Sequence, residues 1–349
     1  MISFAQHLSD DINLATQELE KWALAHWDSL NPKIKDGSRY KKKSLIGNCL
    51  DFRTAMQSKS LQAKLGVCAN SAVQIDRFFD ELQKDNFRFL KEIIVCPPSS
   101  FRSLRARIVA IMDEKVFYDD VKGQTLFGEA LLTHVFKYGN FRGSSRCVDF
   151  FVSDLEITKS TCAYCNIVDT EAVNINPNPS LPADYAALFD IDHFFNKARS
   201  PFFALSFFNL VPTCIPCNSR IKLSKTFSIE THINPFYESF DDIYEFGYRM
   251  SGEITLRHKS PKPNDETAKD LLIHARTQNK LNDLVSMLSY YTKYSRRALT
   301  SVDSKEQFVD YFANRVPLRQ KDILSVCRGK LYRDVLKKVD MHNKIIDFK

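Results

Sequence analysis

The chain has 349 residues, of which 44% are hydrophobic and 26% are charged, and its formal net charge is +7. This length and composition are typical of a globular protein with two or three domains. No apolar run approaches the roughly 18 residues that a membrane helix needs, and the N-terminus lacks the features of a signal peptide. We therefore expect a cytoplasmic protein without a membrane partner. The mild positive charge is compatible with a polyanionic partner such as nucleic acid.

Residues 1–150 are predicted to be mostly helical. Apolar residues recur near the helical period from Phe4 to Trp22, and Asn31-Pro32 ends this first helix. Two further helices are predicted at 71–89 and 99–114. Three basic runs also occur here, at 39–43, 102–107 and 142–146. Each run has two interpretations, a solvated surface or a contact with nucleic-acid phosphates.

Two Cys-x-x-Cys pairs follow, and they predict a metal site. Cys162 and Cys165 form the first pair, and Cys214 and Cys217 form the second. Four thiolates in two such pairs are the ligand set of a closed, tetrahedral structural zinc site. The span between the pairs is wider than in a simple zinc ribbon, so we expect an insertion folded between them. The other cysteines show no such pairing and are predicted to be free thiols.

Polar residues of the insertion and of the second cysteine pair form a distinctive pattern. A short apolar run beginning at Tyr185 predicts a strand, and an aspartate and a histidine end it. The pattern reads Asp190-x-Asp192-His193, then Asn209-Leu, then Cys214-x-x-Cys217-Asn218-x-x-x-Lys222. Over residues 160–236 it resembles the HNH endonucleases, which have the ββα-metal fold. The four cysteines are similar to those of the zinc-stabilised branch of that family.

The resemblance implies a role for each residue of the pattern. His193 would be the general base, and Asp192 and Asn218 would hold one divalent metal ion, Mg²⁺ or Mn²⁺. Asn209 would tether the loop that orients His193. Asp190 is either a partner of these residues or a solvated strand residue, and Lys222 is either such a partner or a phosphate contact.

Elementary chemistry leads to similar roles. A histidine near its ordinary pKa accepts a proton from water at neutral pH. A hard cation such as Mg²⁺ prefers oxygen ligands, and Asp192 and Asn218 offer a carboxylate and an amide oxygen. One departure from the family concerns the loop: many relatives have proline where this chain has Asn196, before Lys197. We therefore expect a loop of different shape with the same catalytic set.

Downstream of this region the sequence predicts a hairpin and further helices. Two strand-like runs, at 243–250 and 253–258, flank Ser251-Gly252, which is a strong hairpin signal. Asn264 or Asp265 is predicted to cap one long helix from about 266 to 299. The chain is again predicted to be helical from 304 onward.

Together these features predict an α+β protein, mainly α. A central zinc-stabilised ββα-metal module, treble-clef-like, would occupy residues 151–236 between a helical domain at 1–150 and a hairpin with helices at 237–349. The predicted function is a metal-dependent endonuclease that acts on DNA in preference to RNA. The pattern is similar to effector nucleases of bacterial anti-phage defence systems, which implies a protein partner such as an ATPase. The alternative is a non-catalytic, zinc-dependent module that binds nucleic acid or another protein.

Overall fold

The structure is a computed structural model that describes residues 1–155, 159–176, 178, 180, 184–249, 251–259, 262–279 and 281–349. Helices predominate in these residues, and their strands form four small sheets. The predicted α+β class with a mainly helical content is therefore confirmed. No helix within these ranges is long and apolar enough to cross a membrane.

The elements are distributed unevenly along the chain. The α-helices before the cysteine pairs are Phe4–Leu8, Ile12–Leu30, Leu45–Ala55, Lys59–Lys64, Ala69–Val95, Phe101–Ile111, Glu114–Phe117, Leu126–Ala130, Tyr138–Arg142 and Ser145–Asp149. The α-helices after them are Phe240–Ile243, Thr267–Asp270, Ile273–Gln278, Leu281–Ala298, Val302–Ala313 and Gly329–Asp340. Shorter 3₁₀ or π-type segments are Pro98–Ser100, Leu131–Phe136, Phe150–Asp154, Pro201–Phe203, Phe207–Asn209, Pro216–Lys222 and Gln320–Ser325. The strands are Tyr118–Asp119, Gly123–Gln124, Lys159–Thr161, Asp169–Asn174, Tyr185–Ala187, Asp190–His193, Leu210–Thr213, Tyr244–Arg249 and Glu253–His258.

The first predicted helix is divided into two. Phe4–Leu8 ends at Ser9, whose backbone is extended, and Ile12–Leu30 begins after Asp11. The Asp11 carboxylate accepts hydrogen bonds from the backbone N–H groups of Asn13 and Leu14, so it caps the second helix. This cap starts a new helix within the stretch from Phe4 to Trp22 that was predicted to be one helix. The second helix ends at Leu30, directly before the predicted break at Asn31-Pro32.

Downstream, the hairpin was predicted correctly and the long helix was not. Tyr244–Arg249 pairs antiparallel with Glu253–His258. Gly252, in the turn between them, has a φ of +84°. Met250, the last residue of the first predicted run, lies outside the described residues. The predicted helix 266–299 is instead three helices. The first break between these helices lies at Leu272, whose φ of 54° is left-handed. The second break is at Lys280, which lies outside the described residues.

Two strands and a short helix carry most of the predicted site. Asp190–His193 pairs antiparallel with Leu210–Thr213, with Asp192 opposite Val211 and His193 opposite Leu210. We call these two strands the site hairpin. The π-type segment Pro216–Lys222, called the site helix, follows the second strand after two residues. The predicted strand at Tyr185 is separate and belongs to a three-stranded sheet.

The flanking helical regions pack onto the segment that carries the site. The Phe4 backbone N–H donates to the Pro235 carbonyl at 2.8 Å, and the Phe4 and Phe236 rings lie 4.6 Å apart. From the other flank, the Thr161 hydroxyl donates to the Leu324 carbonyl at 2.8 Å. Buried apolar residues of all three predicted regions form one cluster. The segment that contains the site hairpin therefore contacts both flanking regions.

Candidate metal and catalytic site

The four cysteines predicted to bind zinc lie together in the interior. Their Sγ atoms all lie within 4.8 Å of one another, and those of Cys165 and Cys214 are 3.8 Å apart. Cys162 and Cys165 occupy a turn after the strand Lys159–Thr161, and the other pair follows the second strand of the site hairpin. Two local turns therefore present two thiols each to a common centre. Such a group could hold a metal ion such as zinc.

The geometry of this cluster fits zinc. Four sulfurs at about 2.3 Å from a central ion form a tetrahedron with edges of about 3.8 Å, which is the Cys165–Cys214 separation. Two residues donate hydrogen bonds to the sulfurs from outside. The Arg276 guanidinium donates to Cys217 Sγ at 3.1 Å and to Cys165 Sγ at 3.5 Å, and the Ile167 backbone N–H donates to Cys165 Sγ at 3.4 Å. Hydrogen bonds of this kind favour thiolates, the form that binds metal.

His193 ends the first strand of the site hairpin and is buried, with 6% of its surface exposed. Its Nε2 lies 3.0 Å from the carbonyl oxygen of Ala204, so this nitrogen carries the proton and donates. Nδ1, in contrast, has no partner among the described residues. Tyr138 packs edge-on against the ring at a centroid distance of 4.4 Å. Burial, followed by the charge of Lys197, lowers the pKa of His193 to about 3.

Asp192 is held on both carboxylate oxygens. The buried Tyr164 hydroxyl donates to Oδ2 at 2.7 Å, and the Lys222 ammonium donates to Oδ1 at 2.9 Å. Burial, followed by the charge of Asp192, raises the pKa of Tyr164, so this hydroxyl stays protonated and remains a donor. Tyr164 lies inside the first Cys-x-x-Cys pair, so the cysteine turn also positions the aspartate.

Asn218 lies on the site helix, directly after Cys217, and its partner is Asp190. Its Nδ2 donates to Asp190 Oδ2 at 3.0 Å, and the Ser219 hydroxyl donates to the same oxygen at 3.0 Å. Asp190 therefore contacts a predicted metal ligand. This contact leaves the amide oxygen Oδ1 of Asn218 without a partner in the described structure.

These atoms fit a hard divalent cation. Mg²⁺ and Mn²⁺ prefer oxygen ligands, and a free amide oxygen on Asn218 is such a ligand. A carboxylate has about four lone-pair sites, so Asp192 can accept its two hydrogen bonds and still offer an oxygen to a cation. Asp192 is 5% exposed, so a ligand atom there would be largely shielded from bulk water.

Asn209 is completely buried and bonds to the chain that follows His193. Its Oδ1 accepts from the Phe195 backbone N–H at 2.6 Å. Its Nδ2 donates to the carbonyls of Phe195 and Phe203, at 3.2 and 3.0 Å. One side chain thus connects both ends of the loop between the two strands, and Ala204, the partner of His193, follows Phe203 directly.

The two lysines near the site differ in their surroundings. Lys222 is 2% exposed, and besides Asp192 it donates to the His193 carbonyl at 2.7 Å. Its ammonium therefore bonds to two consecutive residues of the predicted site. Lys197 is partly buried, and its Nζ lies 4.6 Å from the centre of the Tyr138 ring. Burial lowers the pKa of Lys197, and the charge of Asp192 opposes this shift.

Four contributors to the site were not singled out from the sequence: Tyr138, Tyr164, Lys197 and Arg276. Tyr164 had a local signal, since it stands between two predicted zinc ligands. The other three had none, because Tyr138 and Arg276 are distant in sequence and Lys197 lies in a loop of unpredicted shape.

Arginines of the second and third predicted basic runs have partners within the chain. In the second run, Arg102 pairs with Glu230, Arg105 with Glu114 and Arg107 with Glu92. In the third run, Arg142 donates to the Phe189 carbonyl at 2.7 Å, next to the site hairpin. A phosphate contact by the second run would therefore compete with existing ion pairs.

Comparisons with protein-family models, with curated proteins and with solved structures found no match. The residue pattern and the geometry of the site are thus the basis for any functional proposal.

Proposed function

We propose that the chain is a metal-dependent endonuclease of the HNH type that hydrolyses phosphodiester bonds of nucleic acid, with DNA favoured over RNA by the resemblance. The supporting observation is the arrangement at the end of the site hairpin. His193 has one ring nitrogen fixed by a carbonyl and the other without a partner, directly after the carboxylate of Asp192. Asn218 and the cationic side chain of Lys197 are the other members of the proposed catalytic set.

In this proposal His193 takes the proton from the attacking water. The hydrogen bond from Nε2 to Ala204 fixes the tautomer, so the lone pair is on Nδ1. Its lowered pKa keeps the ring neutral at physiological pH. A phosphate that binds nearby would raise this pKa, because an adjacent negative charge favours the protonated ring. The base would therefore strengthen when the substrate is bound.

Asp192 and Asn218 would hold a Mg²⁺ or Mn²⁺ ion through a carboxylate and an amide oxygen. When bound, such an ion supplies Lewis-acid stabilisation of the phosphoryl charge. Asp190 orients the Asn218 amide, and Tyr164 and Lys222 orient Asp192. Lys197, partly buried and without an acidic partner in the described residues, would contact the phosphate.

The four cysteines are proposed to bind one zinc ion that has a structural role. All four ligand positions are filled by protein sulfur, so no position is open for substrate. Asn218 directly follows Cys217, and Tyr164 lies between Cys162 and Cys165. The zinc-bound segments would therefore fix Asn218, and through Tyr164 they would also fix Asp192, the other proposed ligand of the divalent cation. A protein partner, such as an ATPase of a defence system, belongs to the same proposal, because large helical regions without a recognised sequence-reading domain flank the site.

The decisive experiment compares His193→Ala with wild type and with His342→Ala, which alters an exposed histidine. Cleavage of plasmid, single-stranded DNA and tRNA is measured with Mg²⁺ or Mn²⁺, and toxicity is measured in cells where any partner is present. A positioned base contributes about 10² to 10⁴ in rate, so His193→Ala should lose that much and keep its zinc and its nucleic-acid binding. His342→Ala should behave as wild type.

Asn218→Ala separates the metal from the base. Its defect should be reduced by raising the Mn²⁺ concentration, because the variant lacks a metal ligand, whereas His193→Ala should not respond. A His193→Ala protein as active as wild type would refute the mechanism. Equal nucleic-acid binding by both proteins, with neither cleaving nor toxic, would favour the non-catalytic binding module.

A further inference from the structure

A cavity of about 410 Å³ lies beside the proposed site. It is lined by parts of the second and third helices, by the segment from Phe136 to Arg146, and by Leu205 of the loop between the strands of the site hairpin. Tyr138, within that segment, touches the His193 ring. The volume falls in the range of small-ligand sites, about 300 to 1,000 Å³.

The polar lining of this cavity is cationic. Lys43 of the first basic run and Arg146 of the third meet here with Lys137, and none of the described residues that line the cavity is acidic. The Lys137 ammonium donates to the amide oxygen of Asn48 at 2.8 Å, which is a neutral partner. In the described part of the chain, neither Lys43 nor Lys137 has a carboxylate partner. An anion would therefore meet the charges of two lysines that no described carboxylate neutralises.

A second cleft, of about 870 Å³, provides a contrast. It too is lined by basic residues, among them Arg102, Arg105 and Arg199. All three pair with carboxylates of the chain: Arg102 with Glu230, and the other two with Glu114. An anion in that cleft would have to displace these carboxylates. The smaller cavity is thus the better anion site.

The remaining lining is that of a site for an aromatic heterocycle. Leu30, Leu45 and Phe136 form an apolar wall, and the amide of Asn140 lies beside it. Apolar side chains accept the faces of a ring, and an amide offers donors and an acceptor to its polar edge. Cationic groups, an apolar wall and an amide in one cavity match the phosphate, ring faces and polar edge of a nucleotide.

We propose that this cavity binds a free mononucleotide, with its phosphate on Lys43 and Lys137 and its base against the apolar wall. Lys137 is the junction between the segment Leu131–Phe136 and the helix Tyr138–Arg142, and its φ of 43° is left-handed. A nucleotide held by Lys137 therefore contacts the residue directly before the tyrosine that packs on His193. Binding does not depend on the proposed nuclease activity.

Isothermal titration calorimetry of the full chain tests this site. The ligands are nucleoside mono- and triphosphates, the unphosphorylated nucleosides, inorganic phosphate and a short oligonucleotide. Nucleotides should bind with a Kd below about 1 mM, and nucleosides and phosphate alone should bind much more weakly. Lys137→Met and Lys43→Met should each weaken nucleotide binding about tenfold or more, because each removes a charge-assisted hydrogen bond. Lys64→Met, which removes an exposed lysine outside the cavity lining, should bind as wild type.

Three results would overturn the proposal: no nucleotide binds, both Met variants of the cavity bind as wild type, or the oligonucleotide alone binds and is weakened by these variants. The last result would assign the cavity to the path of a nucleic-acid strand. Lys43 is exposed, so its variant should fold even if Lys137→Met does not. A thermal denaturation curve of each variant checks this.

Discussion

At the scale of single residues, Lys197 and Lys222 differ in how available their charges are, although only Lys222 was predicted to be a partner of the site residues or a phosphate contact. Lys222 is buried and neutralises Asp192, so its ammonium is not available to a substrate. Lys197 Nζ lies 4.6 Å from the centre of the Tyr138 ring, and this ammonium forms no salt bridge within the described residues. Its charge acts on both His193 and Asp192. Lys197 is therefore the cation that a phosphate at the site would meet.

Replacement of Lys197 should affect the cleavage rate, whereas replacement of Lys222 should affect the stability of the fold. Lys197→Ala should lower the cleavage rate by about 10²-fold, the typical cost of removing one group that stabilises transition-state charge, and leave the free energy of unfolding almost unchanged. Lys222→Ala should lower the free energy of unfolding by about 3 to 5 kcal/mol, because it leaves the Asp192 carboxylate buried without its cation. Cleavage kinetics and urea denaturation of both variants measure the two effects. A stable Lys222→Ala protein, or a fully active Lys197→Ala protein, would contradict this division.

The sequence predicted those parts of the site that depend on local spacing. Each cysteine pair sits in one short turn, so the Cys-x-x-Cys spacing alone was enough to predict a four-cysteine cluster. The partners of the polar residues could not be predicted in this way. Asn218 bonds to Asp190, and Asp192 bonds to Tyr164, across 28 residues in each case. Such pairs depend on how the cysteine turns and the strands pack together, which no local pattern encodes.

At the scale of elements, the contrast between local signals and long-range packing explains which downstream elements were predicted correctly. The hairpin ending at His258 was predicted because a glycine turn between two strand-like runs is a local signal. The single helix from 266 to 299 was wrong, because the apolar periodicity continues through Leu272 while the backbone there is left-handed. The break produces a separate short helix, Ile273–Gln278, and this helix carries Arg276 to the cysteine cluster.

Arg276 should therefore determine how tightly the cluster holds zinc. Arg276→Met removes two N–H donors from Cys165 and Cys217, and the loss of such outer partners typically costs about 10- to 100-fold in metal affinity. Competition with a chromophoric chelator measures this change. Arg297→Met, which alters an exposed arginine on the next helix, is the matched control and should retain wild-type affinity. Equal zinc affinity in all three proteins would show that the Arg276 contacts do not support the metal.

At the scale of the whole molecule, His26 joins the N-terminal helices to the loop of the site hairpin. Its Nε2 lies 2.9 Å from the Leu205 carbonyl, and its ring packs among Phe141, Phe150 and Phe207. Nδ1 is buried and has no partner in the described structure. This contact crosses the predicted boundary at residue 150, so the N-terminal region and the site segment should lose stability together when it is broken.

Acid should destabilise this region by adding a charge at the buried His26 Nδ1, since burial lowers the pKa of His26 to about 4 from an ordinary value of 6.5. Between these values the unfolded chain binds a proton and the folded chain does not, so the free energy of unfolding falls as the pH drops from 6.5 toward 4. The loss due to His26 amounts to about 3 kcal/mol at pH 4. His26→Gln retains a donor for the Leu205 carbonyl and cannot titrate. In urea denaturation, its free energy of unfolding should therefore fall between pH 7 and pH 4 by about 3 kcal/mol less than that of wild type. His342→Gln, at an exposed histidine, should follow wild type. If His26→Gln also follows wild type, His26 does not stay neutral in the folded chain.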